Sequence, residues 1–263
     1  MFEKKVMKNK SGQVTIFIII GIIIVAASIL IYQFYPGLKS TLGIEESTPQ
    51  SYIQSCVEDK MRETVDLVSS QGGSINPGNY NLYQNEKIEY LCYTEEFYAP
   101  CVVQQPMLKT HIETEIQNEI EDTVDECFNL LGESYVGKGY NINLQPGTKE
   151  LELLPQKISG TFNYTFTITK GEDVQKYDSF SIAMNNNIYE LVAIANSIIE
   201  WETLYGEAEP SLYMNYYPNL KVEQVLRSSG NKIYILTDRK IGTKFQFAIQ
   251  SQIWPAGYVN PMA

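Results

Sequence analysis

The alternation of apolar and polar positions changes character four times along the chain. Val14–Phe34 (VTIFIIIGIIIVAASILIYQF) is an apolar block of 21 residues without a charge. At about 1.5 Å per residue it covers roughly 31 Å, the thickness of a bilayer's hydrocarbon core. Residues 14–35 are therefore expected to form one transmembrane helix. Residues 1–13 form a tip with Lys4, Lys5, Lys8 and Lys10 against one acid, Glu3. That flank predicts a cytoplasmic N-terminus, a single pass through the cell membrane and an extracellular C-terminal domain. Pro36-Gly37 breaks the helix, and residues 36–50 read as a polar linker.

From Thr48 the period becomes helical. Thr48 can cap, Pro49 suits the first helical position, and Ile53, Val57, Met61, Val65 and Val68 form one stripe ended by Gly72-Gly73. Ser74–Pro106 is irregular, with a short strand expected at Lys87–Tyr90. A second helix starts at Pro106, carries Leu108, Ile112, Ile116, Ile120, Val124 and Leu131 on one face, and is expected to stop at Gly132. Its other face holds Glu113, Glu115, Glu119, Glu121, Asp122, Asp125 and Glu126, which read as a solvated surface. Residues 51–132 thus form an expected helical, disulfide-bonded subdomain.

In residues 133–263 a period of two appears, and an α+β subdomain with antiparallel strands is expected. Thr161–Thr169 alternates without a slip, placing Phe162, Tyr164, Phe166 and Ile168 on one face of a half-buried strand. Lys170–Asp173 turns the chain, and Phe180 and Ile182 continue the pattern on the return. Asn185–Asn187 can cap a third helix, Ile188–Tyr205, ended by Gly206. Two last strands are expected at Lys232–Leu236 and Lys244–Ile249, before an aromatic tail at Trp254–Tyr258.

Charge narrows the partners. Setting aside the tip's four lysines and one acid, the remaining 16 basic residues face 30 acidic ones, a net charge of −14. A surface of that sign does not suit nucleic acid or an anionic lipid face. Partners are therefore expected to be the membrane, through one N-terminal helix, and other proteins or copies of the chain. All four cysteines, Cys56, Cys92, Cys101 and Cys127, follow the apolar block. An even count in an exported chain reads as two disulfides, with three pairings open. Their spacings of 36, 9 and 26 lack the close pairs of a zinc site.

Candidate chemistry is sparse. The one histidine, His111, lies a turn from Glu115 and reads as half of a solvated ion pair. No G-x-S-x-G elbow, HExxH, P-loop or G-x-G-x-x-G occurs, so no catalytic residue and no cofactor is assigned. Asn163-Tyr164-Thr165 is a glycosylation sequon with Asn163 as acceptor.

Val25-Ala26-Ala27 offers a small-residue cleavage site, but Ile29–Tyr32 continue the apolar run past it. Ser11-Gly12-Gln13-Val14-Thr15-Ile16-Phe17 resembles the class III signal of archaeal type IV pilin-like proteins, which is cut between Gly12 and Gln13. Phe17 stands where that family usually carries the glutamate that registers neighbouring helices. Three further features extend the resemblance: Ser55-Cys56 in a helix ending at Gln71-Gly72-Gly73, the segment YLCYTEEFYAPCVVQQP, and a helix ending at Cys127. With these the chain resembles a group of membrane-anchored cell-surface proteins of small-genome, DPANN-type archaea. The resemblance covers about the first 130 residues, implies a cell-surface location, and implies that Cys56 and Cys127 are partners. Cys92 and Cys101 flank a short segment whose loop closes cheaply, and antiparallel helices would bring Cys56 beside Cys127.

The expected protein is an α+β ectodomain on one N-terminal helix, structural or adhesive at the archaeal cell surface and not an enzyme. A type IV pilin-like filament subunit processed before Gln13 is the second reading. An extracellular hydrolase using paired carboxylates is the third.

Overall fold

The computed structural model describes Val25, residues 48–227 and residues 230–251. The tip 1–13, the membrane helix expected at 14–35 apart from Val25, the expected processing site Gly12–Gln13, most of the expected linker 36–50 and the tail 254–258 lie outside the described residues. Among the described residues no helix is long and apolar enough to cross a membrane.

From Pro49 onward the chain is α+β, with two disulfides. Helix α1 (Pro49–Ser70) begins on a proline whose missing N–H would have no helical partner anyway. It buries Ile53, Val57, Met61, Val65 and Val68, the stripe expected from its spacing. Gly73 then turns the chain with φ 108°, and a Cβ there would lie 3.2 Å from Ile112, so glycine suits both the backbone and the packing. Helix α2 (Leu108–Gly137) buries Leu108, Ile112, Ile116, Ile120, Val124 and Phe128 against α1 and the strands. The two helices are antiparallel. Gly73, past the end of α1, lies against Leu108 and Ile112, Lys60 reaches Glu119 at 2.7 Å, and Cys56 is bonded to Cys127 with Cα atoms 6.0 Å apart.

Three sheets complete the fold. The six-stranded one runs β1 (Tyr80–Tyr83), β2 (Glu86–Tyr93), β12 (Lys244–Gln250), β11 (Asn231–Asp238), β10 (Leu220–Leu226), with β3 (Val102–Val103) also paired to β2. Its β2–β12 pair is parallel, unlike the all-antiparallel arrangement expected. That pair joins a strand from before residue 132 to one from after it, so both sides share one sheet and one compact unit. The other two sheets, both antiparallel, are β4 (Asn141–Gln145), β7 (Thr165–Lys170), β8 (Asp173–Tyr177) and β5 (Lys149–Leu154), β6 (Lys157–Phe162), β9 (Phe180–Asn185). Helices α3 (Ile188–Tyr205) and α4 (Pro210–Tyr216) lie between β9 and β10 in the chain.

Two expectations about single elements change. Gly132 does not stop α2, which runs to Gly137. The tertiary context overrides the roughly 1 kcal/mol that a helical glycine costs: Gly132 is buried and Tyr135, one turn on, packs on Phe166 with ring centroids 6.0 Å apart. The expected strand Thr161–Thr169 is two strands in different sheets, with a bend at Asn163-Tyr164. Between the pairs Phe162↔Phe180 and Phe166↔Tyr177, four steps on one strand face three on the other, so one extra residue bends the ladder. The alternation survives the bend: Phe162, Tyr164, Phe166 and Ile168 are all buried. Tyr164 stacks on Phe128 with centroids 4.1 Å apart. Gly147 crosses the outside of the bend so closely that a Cβ would fall 1.8 Å from the Asn163 carbonyl oxygen.

The edge of β9 is covered by α1. Gln54 donates to the Ala183 carbonyl (3.2 Å) and accepts from the Ala183 N–H (3.0 Å), and Gln50 donates to the Ser181 carbonyl. A side-chain amide thus takes the place of a neighbouring strand, which protects the edge from pairing with another chain.

Candidate functional site

The acidic face of α2 is largely engaged. Glu113 holds Lys109 (2.6 Å) and the Leu153 N–H (2.8 Å). Glu119 holds Lys60, while Glu121 and Asp125 share Lys149 at 3.0 and 2.9 Å. Asp125 also accepts from the Tyr164 hydroxyl; burial, with that bond, pushes the Tyr164 phenol up to about 12. Apart from Lys109, four residues before Glu113 on the same helix, these partners come from segments distant in sequence, which a helical wheel does not show.

His111 does not pair with Glu115 as expected. Its Nε2 lies 2.8 Å from the Ser74 hydroxyl, which itself donates to Glu89, while Glu115 accepts the Ile75 N–H at 2.7 Å. Burial raises the Glu89 pKa, the bond from Ser74 opposing the shift. The order of groups is carboxylate, hydroxyl, imidazole. A serine nucleophile needs the imidazole in the middle, taking the hydroxyl proton. Here that proton points at a carboxylate, and Ser74 is only 5% exposed. The cluster ties the loop after α1 to β2 and to the first turns of α2.

A second buried polar cluster closes α3. Gly206 caps the helix in the left-handed conformation, as expected. At the N-terminus Asn186 accepts the Ile188 N–H at 2.8 Å, while Asn187 donates to Asp238 at 2.6 Å. Glu202, fully buried, receives Lys232 at 2.8 and 3.0 Å and the Tyr234 hydroxyl; Lys232 also donates to the Gly206 carbonyl. Gln224 links Tyr234 (2.7 Å) to Glu207 (3.0 Å). Burial raises the Glu202 pKa against the pull of Lys232, and raises that of Tyr234 as well. Nothing in the local spacing marks this cluster, since Glu202 and Lys232 are brought together only when α3 lies on β11.

The outer side of α3 carries the strongest candidate for a binding surface. Trp201, Leu204 and Tyr205 face away from the inner stripe of Ile188, Leu191, Ala195 and Ile198, and are 45%, 64% and 57% exposed. Beside them α4, started by Pro210 and the Glu209 carboxylate accepting the Ser211 N–H, presents Leu212, Tyr213 and Tyr216, with Tyr217 following. The Tyr213 hydroxyl meets Ser197 at 3.0 Å and joins the two helices. Between them lies a groove of about 250 Å³, lined by Trp201, Leu212 and three tyrosines, with Glu209 and Ser197 as its polar members. Tyr216 is 82% exposed. Burial raises the Tyr213 pKa, Ser197 opposes the shift, and the charge of Glu200 adds to it. The signal was present in the sequence as five aromatic residues between Trp201 and Tyr217, off the buried stripe.

The remaining expected sites stand as follows. Cys92 is bonded to Cys101, with Cα atoms 5.3 Å apart, so both disulfides have the expected partners. Asn163 is exposed, but its amide donates to Thr148 at 2.7 Å and its carbonyl oxygen accepts from Ser179 at 3.1 Å. Among the described residues no group of three His, Cys, Asp or Glu side chains is placed to hold a metal ion. No family model, curated protein or solved structure matches the chain.

Proposed function

We propose that the chain is a membrane-anchored adhesive protein of the archaeal cell surface, held by the segment 14–35 and presenting residues 49–263 outside the cell. The observation that carries this reading is the exposed aromatic face of α3 and α4. Contiguous apolar surface rimmed by polar groups is the mark of an interaction site, and Trp and Tyr are the residues that anchor such contacts. Two supports accompany it. Disulfides form and persist in oxidising, extracytoplasmic surroundings, and all four cysteines are paired. The uncharged run before them has bilayer length, with lysines on one flank.

Protease added to intact cells should remove the ectodomain and spare the lysine-rich tip. An ectodomain protected until the membrane is breached overturns the orientation. Mass spectrometry of the native N-terminus separates an intact anchor, starting at Met1, from a processed pilin-like subunit, starting at Gln13. For adhesion, cells displaying the chain should bind their target surface, and the double substitution Trp201→Ala with Tyr216→Ala should abolish binding while the circular dichroism spectrum stays the same. Adhesion that survives both substitutions refutes the assignment to this face.

A further inference from the structure

We infer that the α3–α4 groove binds an arginine or lysine side chain carried by a polypeptide partner; this rests on the adhesive reading above. The groove combines rings and a carboxylate: Trp201, Tyr213, Tyr216 and Tyr217 line it together with Glu209. An aromatic face attracts a cation through the ring quadrupole, most strongly for tryptophan and where water is displaced.

Charge complementarity points to the same partner. From Tyr177 to Leu220, the stretch holding β9, α3 and α4, there is no lysine, arginine or histidine, and there are six acids. Asp178 is paired with Lys176 at 2.7 Å and Glu190 accepts the Gln156 N–H, which leaves Glu200, Glu202, Glu207 and Glu209 around the end of α3. Two of them, Glu202 and Glu207, face Lys232 beneath α3, at 2.8 and 3.5 Å. That lysine is 6% exposed, so it does not lend its charge to the outer face. Glu209 lines the groove, and Glu200 is close enough to act on the Tyr213 phenol. Among the described residues no basic side chain lines the groove to compete for its rings and carboxylate.

The shape of the surface selects a polypeptide over a small free amine. The exposed apolar area does not end at the groove but continues over Leu204 and Tyr205. A peptide seated with its cationic side chain between Trp201 and Tyr216 can cover those neighbours with flanking apolar residues. Apolar neighbours that exclude water from a central anchor are what make such an anchor count.

The test uses the full chain in detergent micelles with Trp254→Phe, which leaves Trp201 as the sole tryptophan. The probe is a hexapeptide of alternating leucine and arginine. Its control has citrulline for arginine, which keeps the shape and removes the charge. The arginine peptide should quench Trp201 emission with an affinity about tenfold above the citrulline peptide, the size of a partly desolvated cation–π contact. Glu209→Gln and Tyr216→Ala should each reduce that affinity several-fold. Equal affinity for the two peptides, or no binding of either, overturns the inference. So does arginine binding that Tyr216→Ala leaves unchanged, because the peptide would then be held only by the net negative charge. Adhesion that is lost with Trp201→Ala and Tyr216→Ala, alongside equal peptide affinities, removes the cationic partner and keeps the adhesive face. Adhesion indifferent to those substitutions removes the adhesive reading itself.

Discussion

The α1–α2 pair turns its apolar stripes inward, ties its acids to lysines and backbone N–H groups, and is stapled by Cys56–Cys127. Helix α3 also buries an apolar stripe, but it adds Glu202, held against Lys232 and Tyr234 of β11, and with α4 it leaves Trp201, Tyr216 and Tyr217 in solvent. In the first pair the side chains are placed where burial stabilises the fold. In the second, a buried ion pair fixes the end of a helix at a desolvation cost, and large rings are kept out of the core. Such departures from the stabilising arrangement concentrate where a protein makes contact with something else.

The sharpest break in this contrast should come from Glu202→Ala, which leaves the Lys232 ammonium buried with only Glu207, at 3.5 Å, as a charge partner. A loss of up to about 5 kcal/mol is expected in denaturant unfolding, and replacing Glu202 and Lys232 together by Met should recover most of it. If the double variant is as unstable as the single one, the loss comes from the missing pair itself and not from an orphaned ammonium.

Removing the long disulfide by Cys56→Ala with Cys127→Ala should cost about 4 kcal/mol, and removing Cys92–Cys101 about 3 kcal/mol, because the closed loops differ in length. The sequence separations are 71 and 9. Urea midpoints of the two double variants decide the order, and a larger loss for the short loop would place the main restraint in the Cys92–Cys101 turn.

A smaller effect should follow from Gln54→Ala, which strips the cover from Ala183 and leaves only Gln50 on the β9 edge. About 1–2 kcal/mol is expected from the two lost hydrogen bonds, together with faster aggregation by light scattering. Unchanged aggregation would show that the edge is protected by other means.

The pH dependence separates the clusters by sign. Asp125 and Asp238 have lowered pKa values: burial acts upward on each, outweighed by the Tyr164 and Lys149 bonds at Asp125 and by the Asn187 and backbone bonds at Asp238. Their contribution is present above the unfolded aspartate value and is lost as pH falls through the folded one. Glu89 and Glu202 are raised by burial, so the native state holds their protons more tightly, and their charged forms weaken the fold as pH rises past the unfolded glutamate value. Glu89→Gln should therefore flatten the fall in melting temperature on the upper side of that range, whereas Asp125→Asn should flatten the fall on the acid side.

The smallest change in stability, within about 0.5 kcal/mol each, is expected for Trp201→Ala and Tyr216→Ala, since exposed side chains away from special contacts seldom contribute more. A loss of several kcal/mol at Trp201 would make the outer face of α3 part of the scaffold and end the contrast with α1–α2.

The pattern of residues alone determined the helical stripes, the end of α3 at Gly206 and the buried set Phe162, Tyr164, Phe166 and Ile168. Each of these depends on neighbours a few positions away, so spacing is sufficient. Strands β1, β4, β5, β8 and β10 were not evident; β8 has four of its five residues exposed, so no apolar period marks it. Only the tertiary structure decided the bend at Asn163, the run of α2 through Gly132, the parallel β2–β12 pair, the Ser74–His111 contact and the Glu202–Lys232 pair. All of these are set by partners that arrive from distant segments. A glycine in a helix, a charge on a helix face or a lone histidine has no meaning in the local sequence until the packing around it is complete.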